Sequence, residues 1–505
     1  MLTPEYLDHV GDELLALYSK LDESILRDIT RRLVKSGNVT ATAQWQIWRA
    51  QESGLLYDDI IAEVAKLSSA SDAQVRALFE DAGAVSVSYD NRIYEAAGLT
   101  PLPIKASPSA MQALNAGIEK TAGHLNNLTL TTASTAQQVF IQAATLAEMQ
   151  VENGAFDYVT AVRNAVREAS KESKWISYPS GHRDRIDVAM RRAVLTGVSQ
   201  TTGQISMFYA QDMGCDLMEI TAHAGARPSH AVWQGQIVSL SGRSGYLSLS
   251  DIGYGTGAGF KGWNCRHDWY PFFEGLSESA YPRREIEAYK NATVRYDGRT
   301  IPLYDATQMQ RAMEREIRDT KRILAGLDAG IEETSDETLK AALKQDFTAK
   351  SALLKRQEAA LKEFLRETGL LNDSSRVQIY GFGHSQASKA VWTVKKNTLT
   401  NAAGQTIIKV ECVKIEGTPN SITQKTNKKG GIDRNYYGPD GKQTKQISNN
   451  GHGHAKEEAI GQHGEHAHDY IWDQDGNLTR DNARELTEQE RIDNEDFLYG
   501  ETDQR

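Results

Sequence analysis

The sequence predicts an α+β protein that is predominantly α-helical. Three observations carry that expectation. Apolar residues recur at helical spacing through the first part of the chain, so a helical N-terminal body is expected over residues 1–210. The pattern changes at Cys215, where a short alternating stretch, CDLMEITAH, leads into a glycine-crowded run; this marks a small α+β module over 211–300. Beyond it a charged helical hairpin is expected over 301–371, and a β-containing, His-rich C-terminal domain over 372–505. A chain of 505 residues is too long for one ordinary core, which fits several folding units.

Thr3 followed by Pro4 is a cap and first-turn pair. The stripe Leu7, Val10, Leu14, Leu17, Leu21, Ile25, Ile29 and Leu33 then predicts helix over 5–35. TATAQWQIWRAQESG starts a second helix that Gly54 is expected to end, and short helices broken at Ser-Ser and Gly follow it. After the proline-marked connector LTPLPIKASPSA the helical pattern resumes to about residue 213, with Arg191 and Arg192 expected at the surface. In CDLMEITAH, Leu217, Glu219 and Thr221 share one face of a strand, and Met218, Ile220 and Ala222 the other.

From Thr307 to Leu371, Met309, Met313, Ile317, Leu324 and Leu327 mark one helical stripe, and Leu339, Leu343, Phe347, Leu354, Leu361 and Leu365 a second. Thr334 with Glu337 fits a capping box between them. The high charge of this pair predicts a projecting arm. KAVWTVKKNTLTNAAGQTIIKVECVKI predicts a β-hairpin turning at Asn401–Gly404, with a further turn at 438–441. The polar end, LTEQERIDNEDFLYGETDQR, is expected to fray.

Hydrophobic residues make up 40% and charged residues 25%, ordinary proportions for soluble globular protein. The net charge of −10 provides no global field toward nucleic acid or an anionic membrane. Cys215, Cys265 and Cys412 are far apart, which argues against a disulfide framework and for folding in a reducing compartment such as a bacterial cytoplasm. The N-terminus lacks the basic and apolar regions of a secretory signal. No run approaches the ~18 apolar residues of a membrane span.

Four groups around the glycine-rich loop 235–262 have metal-ligand chemistry: His223, His230, Cys265 and His267. Zinc takes thiolate and imidazole in a tetrahedron. Cys-x-His sets two ligands on one side of an extended strand, and His230 arrives from the far end of the loop. A zinc clip there would tie off a loop that has little side-chain packing of its own. The alternative is a small core in which His230 and His267 bond to backbone, Cys265 packs as a small apolar residue, and Trp233, Trp263 and Trp269 fill the interior. A nucleophilic pair of Cys265 and His230 lacks an evident third, orienting group. GYGTGAG at 253–259 lacks the Gly-Lys-Ser/Thr of a phosphate loop.

Five of the twelve histidines, His452, His454, His463, His466 and His468, fall within one short tract. With Glu457, Glu465 and Asp469 they suit a divalent transition metal or an acid/base pair for nucleic-acid cleavage, His452, His454, His466 and His468 being the candidate catalytic set. A solvated loop that binds metal adventitiously is the alternative. Lys425, Lys428, Lys429 and Arg434, with Tyr436 and Tyr437 nearby, read as a solvated basic loop, with contact to packaged DNA as the alternative.

The stretch from Arg227 to His267 resembles the C-terminal module of phage minor head proteins: the Mu F-like head morphogenesis proteins and, more closely, the phage minor capsid protein 2 family. The residues that carry the resemblance are Arg227, Ser229, His230, Gln234 and Gly235, then Trp263, Asn264, Cys265, Arg266 and His267. Many relatives end this pattern in Cys-Arg-Cys, so His267 is a departure that keeps a ligand. The resemblance covers about residues 1–300 and extends toward 370. It implies a structural minor capsid protein of a tailed phage, located in the capsid interior after assembly in the host cytoplasm. The implied partners are the portal protein, the major capsid protein and packaged DNA, with no membrane. The end of the chain also resembles a terminal module of Gram-positive phage minor capsid proteins. Because Mu F-like proteins sometimes carry toxin domains there, the alternative is a capsid-borne effector whose His-rich domain is a metal-dependent nuclease. A structural role, without enzymatic activity, is the favoured expectation.

Overall fold

A computed structural model describes residues 1–36, 42–154, 156–178, 181–451, 460–461, 464–473 and 477–498. The helix expected over 5–35 forms in two parts: α1 (Pro4–His9), where the Thr3 side chain accepts the Tyr6 N–H, and α2 (Asp12–Lys35), with Gly11 before it. Then come two long helices, α3 (Thr42–Ala96, 55 residues) and α4 (Pro108–Glu152, 45 residues). At about 1.5 Å per residue they span roughly 80 and 70 Å. They run antiparallel: Trp45 Nε1 donates to the Ala144 carbonyl, and Gln137 Nε2 donates to the Ser53 carbonyl. Ser107 caps α4 and Pro108 fills its first turn. Helix α3 does not break at Gly54 or at Ser-Ser. A glycine inside a helix costs only about 1 kcal/mol, and burial of Leu56, Ile60, Val64, Val75 and Phe79 along one helix outweighs it.

Helix α5 (Tyr158–Glu172), the hairpin β1 (Trp175–Ser177) and β2 (Arg183–Arg185), and α6 (Ile186–Asp212) complete the first half. The crossing of α4 and α6 is close because each helix presents a glycine to a threonine of the other. A β-carbon on Gly117 would lie 2.1 Å from Thr201 Oγ1, and one on Gly197 would lie 2.3 Å from Thr121 Oγ1.

A small module follows, built from β3 (Leu217–Ile220), α7 (Pro228–Ala231), β4 (Ile237–Ser239), β5 (Leu247–Ser248) and β6 (Trp269–Phe272). Its sheet order is β5-β4-β3-β6, with β3 antiparallel to both neighbours and β4 parallel to β5. Both faces of β3 are buried, so the expected alternation does not sort inside from outside. After α8 (Arg283–Lys290), strands β7 (Thr293–Tyr296) and β8 (Arg299–Pro302) form a hairpin through Asp297 and Gly298, both at positive φ, the type I′ requirement.

The predicted helical hairpin is α9 (Leu303–Glu333) and α10 (Glu337–Thr368). It does not project. Ile317, Leu324, Leu339, Leu343 and Phe347 share one hydrophobic cluster with Ile25 and Ile29 of α2, Phe140 of α4 and Val162 of α5. Its charges are engaged with the body: Arg322 binds Asp22 of α2 through two bonds of 2.7 and 2.8 Å. The cap of α10 is Asp336, which accepts from the Thr338 and Leu339 N–H groups, and not the Thr334/Glu337 pair.

Where a hairpin was expected from residue 389 onward, the chain first forms α11 (His384–Asn397), because Ala387, Ala390 and Val394 recur at helical spacing, the two alanines joining the cluster that holds α10. Only then do β9 (Thr398–Thr400) and β10 (Thr406–Lys409) pair across the Asn401–Gly404 turn. Strands β11 (Ile422–Thr426), β12 (Ile432–Tyr437), β13 (Gln443–Ser448), β14 (His466–Trp472) and β15 (Leu478–Arg480) extend this to a seven-stranded sheet, antiparallel except between β10 and β11. The 438–441 turn is present, with Gly441 at φ +82°. The segment expected to fray folds, through residue 498, into α12 (Glu488–Asp493) and α13 (Glu495–Leu498). Leu486, Phe497 and Leu498 pack on Ile447 and Ala467, and Thr487 with Glu490 forms a capping box.

Asp346 joins the C-terminal sheet to the helical body. It is fully buried, takes paired bonds from Arg163 and Arg167 of α5, and accepts the Thr418 hydroxyl at 2.6 Å. No helix among the described residues is long and apolar enough to cross a membrane.

Candidate metal centre and the cavity beside it

The module from 217 to 272 brings His230, Cys265 and His267 together. All three are buried, and their ligand atoms lie within 4.8 Å of one another, the one such cluster among the described residues. His230 sits on α7, whose entry is set by Arg227; the Arg227 guanidinium donates to the Trp263 carbonyl at 3.0 Å. His230 Nε2 lies 2.9 Å from the Ala258 carbonyl. His267 Nε2 lies 3.2 Å from Gln234 Oε1, and His267 Nδ1 faces Cys265 Sγ at 3.7 Å. Gln234 Oε1 also accepts the His223 N–H at 3.1 Å. His223 stacks on His267 with ring centroids 4.6 Å apart, and Trp233 meets the His267 ring edge-on at 4.9 Å. Ser229, the remaining polar member of the motif, is exposed.

The glycine-rich loop is packed on itself. Gly257 lies under the Trp263 ring, where a β-carbon would come within 2.7 Å, and Gly259 touches the Gly253 carbonyl. Gly235, at φ +66°, meets Ile286 of α8. Lys261 and Asn264 both adopt positive φ, at 59° and 54°, which turns the chain sharply into Cys265. Of the three tryptophans expected in the core, Trp233 and Trp269 are buried, but Trp263 is exposed and covers the glycine loop from outside.

Burial sets the protonation chemistry. It pushes His267 well below the usual histidine range, and neighbouring His223, His230, Lys261 and Arg266 add to the shift. Burial also lowers His223 and His230 and raises the Cys265 thiol. Neutral imidazoles are the form that binds metal. One sulfur and two nitrogens suit zinc.

Sequence spacing did not single out Lys261 or Asp268, which anchor the module. Lys261 Nζ pairs with Asp268 Oδ1, while Asp268 Oδ2 accepts the Leu2 N–H. Arg266 reaches Asp8 at 2.9 Å. These contacts tie the motif to the first helices of the body.

The same wall opens on a cavity of about 1860 Å³ between α2, α6, α9 and the segment leading into α11. Arginines dominate it, and several share carboxylates: Arg266 and Arg376 with Asp8, and Arg185 and Arg318 with Asp187. Arg191, expected at the surface, is half-buried here and pairs with Asp12, while Arg192 pairs with Asp184. Burial and then the cations Arg185 and Arg318 lower Arg315, which has no ion pair among the described residues.

In the His-rich tract, His452, His454 and His463 lie outside the described residues. His466 and His468 are buried on one face of β14, with rings 5.0 Å apart, and their Nδ1 atoms sit near the Gly464 and Asp481 carbonyls. Arg434 is not part of a solvated loop: it is fully buried, although Lys428 and Lys429 are exposed.

The sequence pattern of the phage minor capsid protein 2 family matches residues 2–366. A structural protein of Lactococcus phage LL-H is 30% identical over 149 residues, 28% of this chain and 37% of that protein. A structural protein of Lactococcus phage mv4 is 36% identical over 78 residues, 15% of this chain and 54% of that protein. The matched segments thus span from about a third to about half of these relatives' lengths. No solved structure matches. With most of its length, the whole helical body and the Cys/His module inside the family match, the chain belongs to the phage minor capsid protein 2 family.

Proposed function

We propose that this chain is a structural component of a tailed-phage virion that sits in the head interior, docks on the portal or major capsid protein, and assists head assembly or DNA entry. One observation carries the reading beyond family membership: the charged residues of the motif region are used in internal linkages. Arg266 holds Asp8, and Lys261 and the Leu2 N–H hold Asp268, so the module is fixed to the helical body. A buried pair such as Lys261 and Asp268 defines a particular geometry more than it adds net stability. A rigid body that presents a fixed surface suits a part that fits against neighbours. Tyr380, Val391 and Trp392, all exposed and at the rim of the arginine-lined cavity, form the apolar face offered to such a neighbour.

Co-expression of the full chain with the portal protein and the major capsid protein of the same phage, followed by affinity capture, tests the reading. Capture of either partner, weakened by Trp392→Ala, is expected. Failure to associate with both would overturn it. Incubating the full chain with DNA and RNA and divalent metal tests the effector alternative. Cleavage abolished by His466→Ala would favour that alternative.

A further inference from the structure

We infer that His230, Cys265 and His267 are the protein ligands of a zinc ion that closes loop 235–262 onto the β3–β6 sheet. The inference does not rest on the head role, and either can fail alone.

Hydrogen bonding fixes which nitrogen of each imidazole is free. The Ala258 carbonyl can only accept, so His230 Nε2 carries the hydrogen and Nδ1 keeps its lone pair. The Gln234 amide is oriented by the His223 N–H, which requires the oxygen, not the NH₂, at that position. That oxygen then requires a hydrogen on His267 Nε2, which leaves the lone pair on Nδ1, the atom that faces Cys265 Sγ at 3.7 Å. A tetrahedral zinc with Zn–S of about 2.3 Å and Zn–N of about 2.05 Å separates sulfur from nitrogen by about 3.6 Å. The Cys265–His267 spacing therefore matches a shared metal, and a ligand atom of His230 lies within 4.8 Å of both. Each ligating histidine also has the outer hydrogen bond, to a carbonyl or amide oxygen, that typically orients a metal ligand.

His223 lies outside the 4.8 Å set. Its Nδ1 faces the Ala224 carbonyl, and its buried Nε2 has no partner among the described residues. It is placed to complete the tetrahedron directly or to hold a water that does. The two nearby cations do not oppose the metal unaided, since Lys261 is paired with Asp268 and Arg266 with Asp8. Zinc binding replaces the thiol proton of Cys265, which leaves to solvent; no redox step is involved.

The test uses the full chain purified without chelator and dialysed against metal-free buffer. Elemental analysis is expected to find about one zinc per chain that Cys265→Ser lacks. Exchange into cobalt is expected to give a near-ultraviolet thiolate-to-metal band, absent in Cys265→Ser and altered in His223→Ala. Because a His-rich tract can take up metal adventitiously, the difference between wild type and Cys265→Ser is read rather than total zinc. Zinc content unchanged in a folded Cys265→Ser, or wild-type protein with no cobalt–thiolate band, would overturn the site. If Cys265→Ser does not fold, the cobalt spectrum of the Cys215→Ala/Cys412→Ser double variant decides, since Cys265 is then the one thiol left to give that band; loss of the band there would overturn the site.

Discussion

Lys261 Nζ lies 2.5 Å from Asp268 Oδ1 in a pair that solvent does not reach, and the backbone N–H of Leu2 closes on the other carboxylate oxygen. Three separate parts of the chain, its first residues, the end of the glycine loop and the start of β6, are joined at one carboxylate. Breaking such a pair from one side strands the other charge, which costs about 3–5 kcal/mol. Asp268→Asn is therefore expected to lower the unfolding midpoint strongly, and Lys261→Met with Asp268→Leu to lower it less than Asp268→Asn alone. Urea titrations of the three proteins check this; equal losses would mean that the pair is not coupled.

The same carboxylate predicts a pH response. Burial alone would raise its pKa, but Lys261, the Met1 ammonium and the Leu2 N–H together outweigh burial and hold it below the usual carboxylate range. A carboxylate lowered in the folded state contributes stability that is fully present above its unfolded pKa of about 3.9 and is lost as pH falls through the lower folded value. Wild-type protein should thus lose stability more steeply than Asp268→Asn as pH falls below about 4. Parallel acid-unfolding curves would refute the assignment.

The crossing of α4 and α6 depends on missing side chains. A β-carbon on Gly117 would sit 2.1 Å from Thr201 Oγ1. Gly117→Ala is expected to destabilise by about 1–3 kcal/mol through overpacking, and adding Thr201→Ala should recover most of the loss. Thermal unfolding of the single and double variants measures this; no recovery would locate the damage elsewhere.

Arg315 lines the cavity with no ion pair among the described residues; burial depresses it first, and the repulsion of Arg185 and Arg318 adds to this against the weaker pull of Asp187 and Glu314. Removing its charge should relieve repulsion. Arg315→Gln is expected to raise the melting temperature at low salt, and by less at high salt, where screening already reduces the repulsion. A lower melting temperature in the variant would show that the guanidinium has a favourable role.

Much of the fold was legible because local periodicity and tertiary packing agreed. The Thr3–Pro4 cap and the two stripes of the 303–368 hairpin form as the spacing predicts, and the stripe from Leu7 to Leu33 does so with one interruption, at Val10 and Gly11 between α1 and α2. The errors arose where burial overrode a local signal. Gly54 does not end α3 because Leu56 and Ile60 lock the next turn into the core. The hairpin's charges suggested a solvated arm, but Arg322 and Asp346 are charges buried against opposite charges, which one-dimensional patterning cannot distinguish from exposed ones. At the candidate centre, sequence supplied His230, Cys265 and His267, because ligand types are rare and cluster visibly. It did not supply Lys261, since one lysine among many has no distinguishing spacing. The Asp297–Gly298 hairpin had a readable signal, the Asp-Gly pair between β-rich runs, and it was missed.

The end of the chain makes the last case. Its polar composition predicts fraying, yet Arg434 of β12 is wholly buried and depends on it. That guanidinium donates to Asn494 at 3.0 Å and to Asp496, and it lies 4.2 Å over the Phe497 ring. On β14 the neighbouring Ala467 exchanges backbone bonds with Arg484. Deleting residues 486–505 would strand the arginine and expose Ile447 and Ala467 together. Asp496→Ala removes only the charge partner and should cost about 3 kcal/mol, the low end for a broken buried pair, because Asp496 itself is partly exposed. In hydrogen exchange, both changes should deprotect β12, β13 and β14 while leaving α2, α4 and α9 protected, since those helices belong to a separate cluster. Unchanged protection of β13 in the deletion would mean that the sheet stands without its terminal helices.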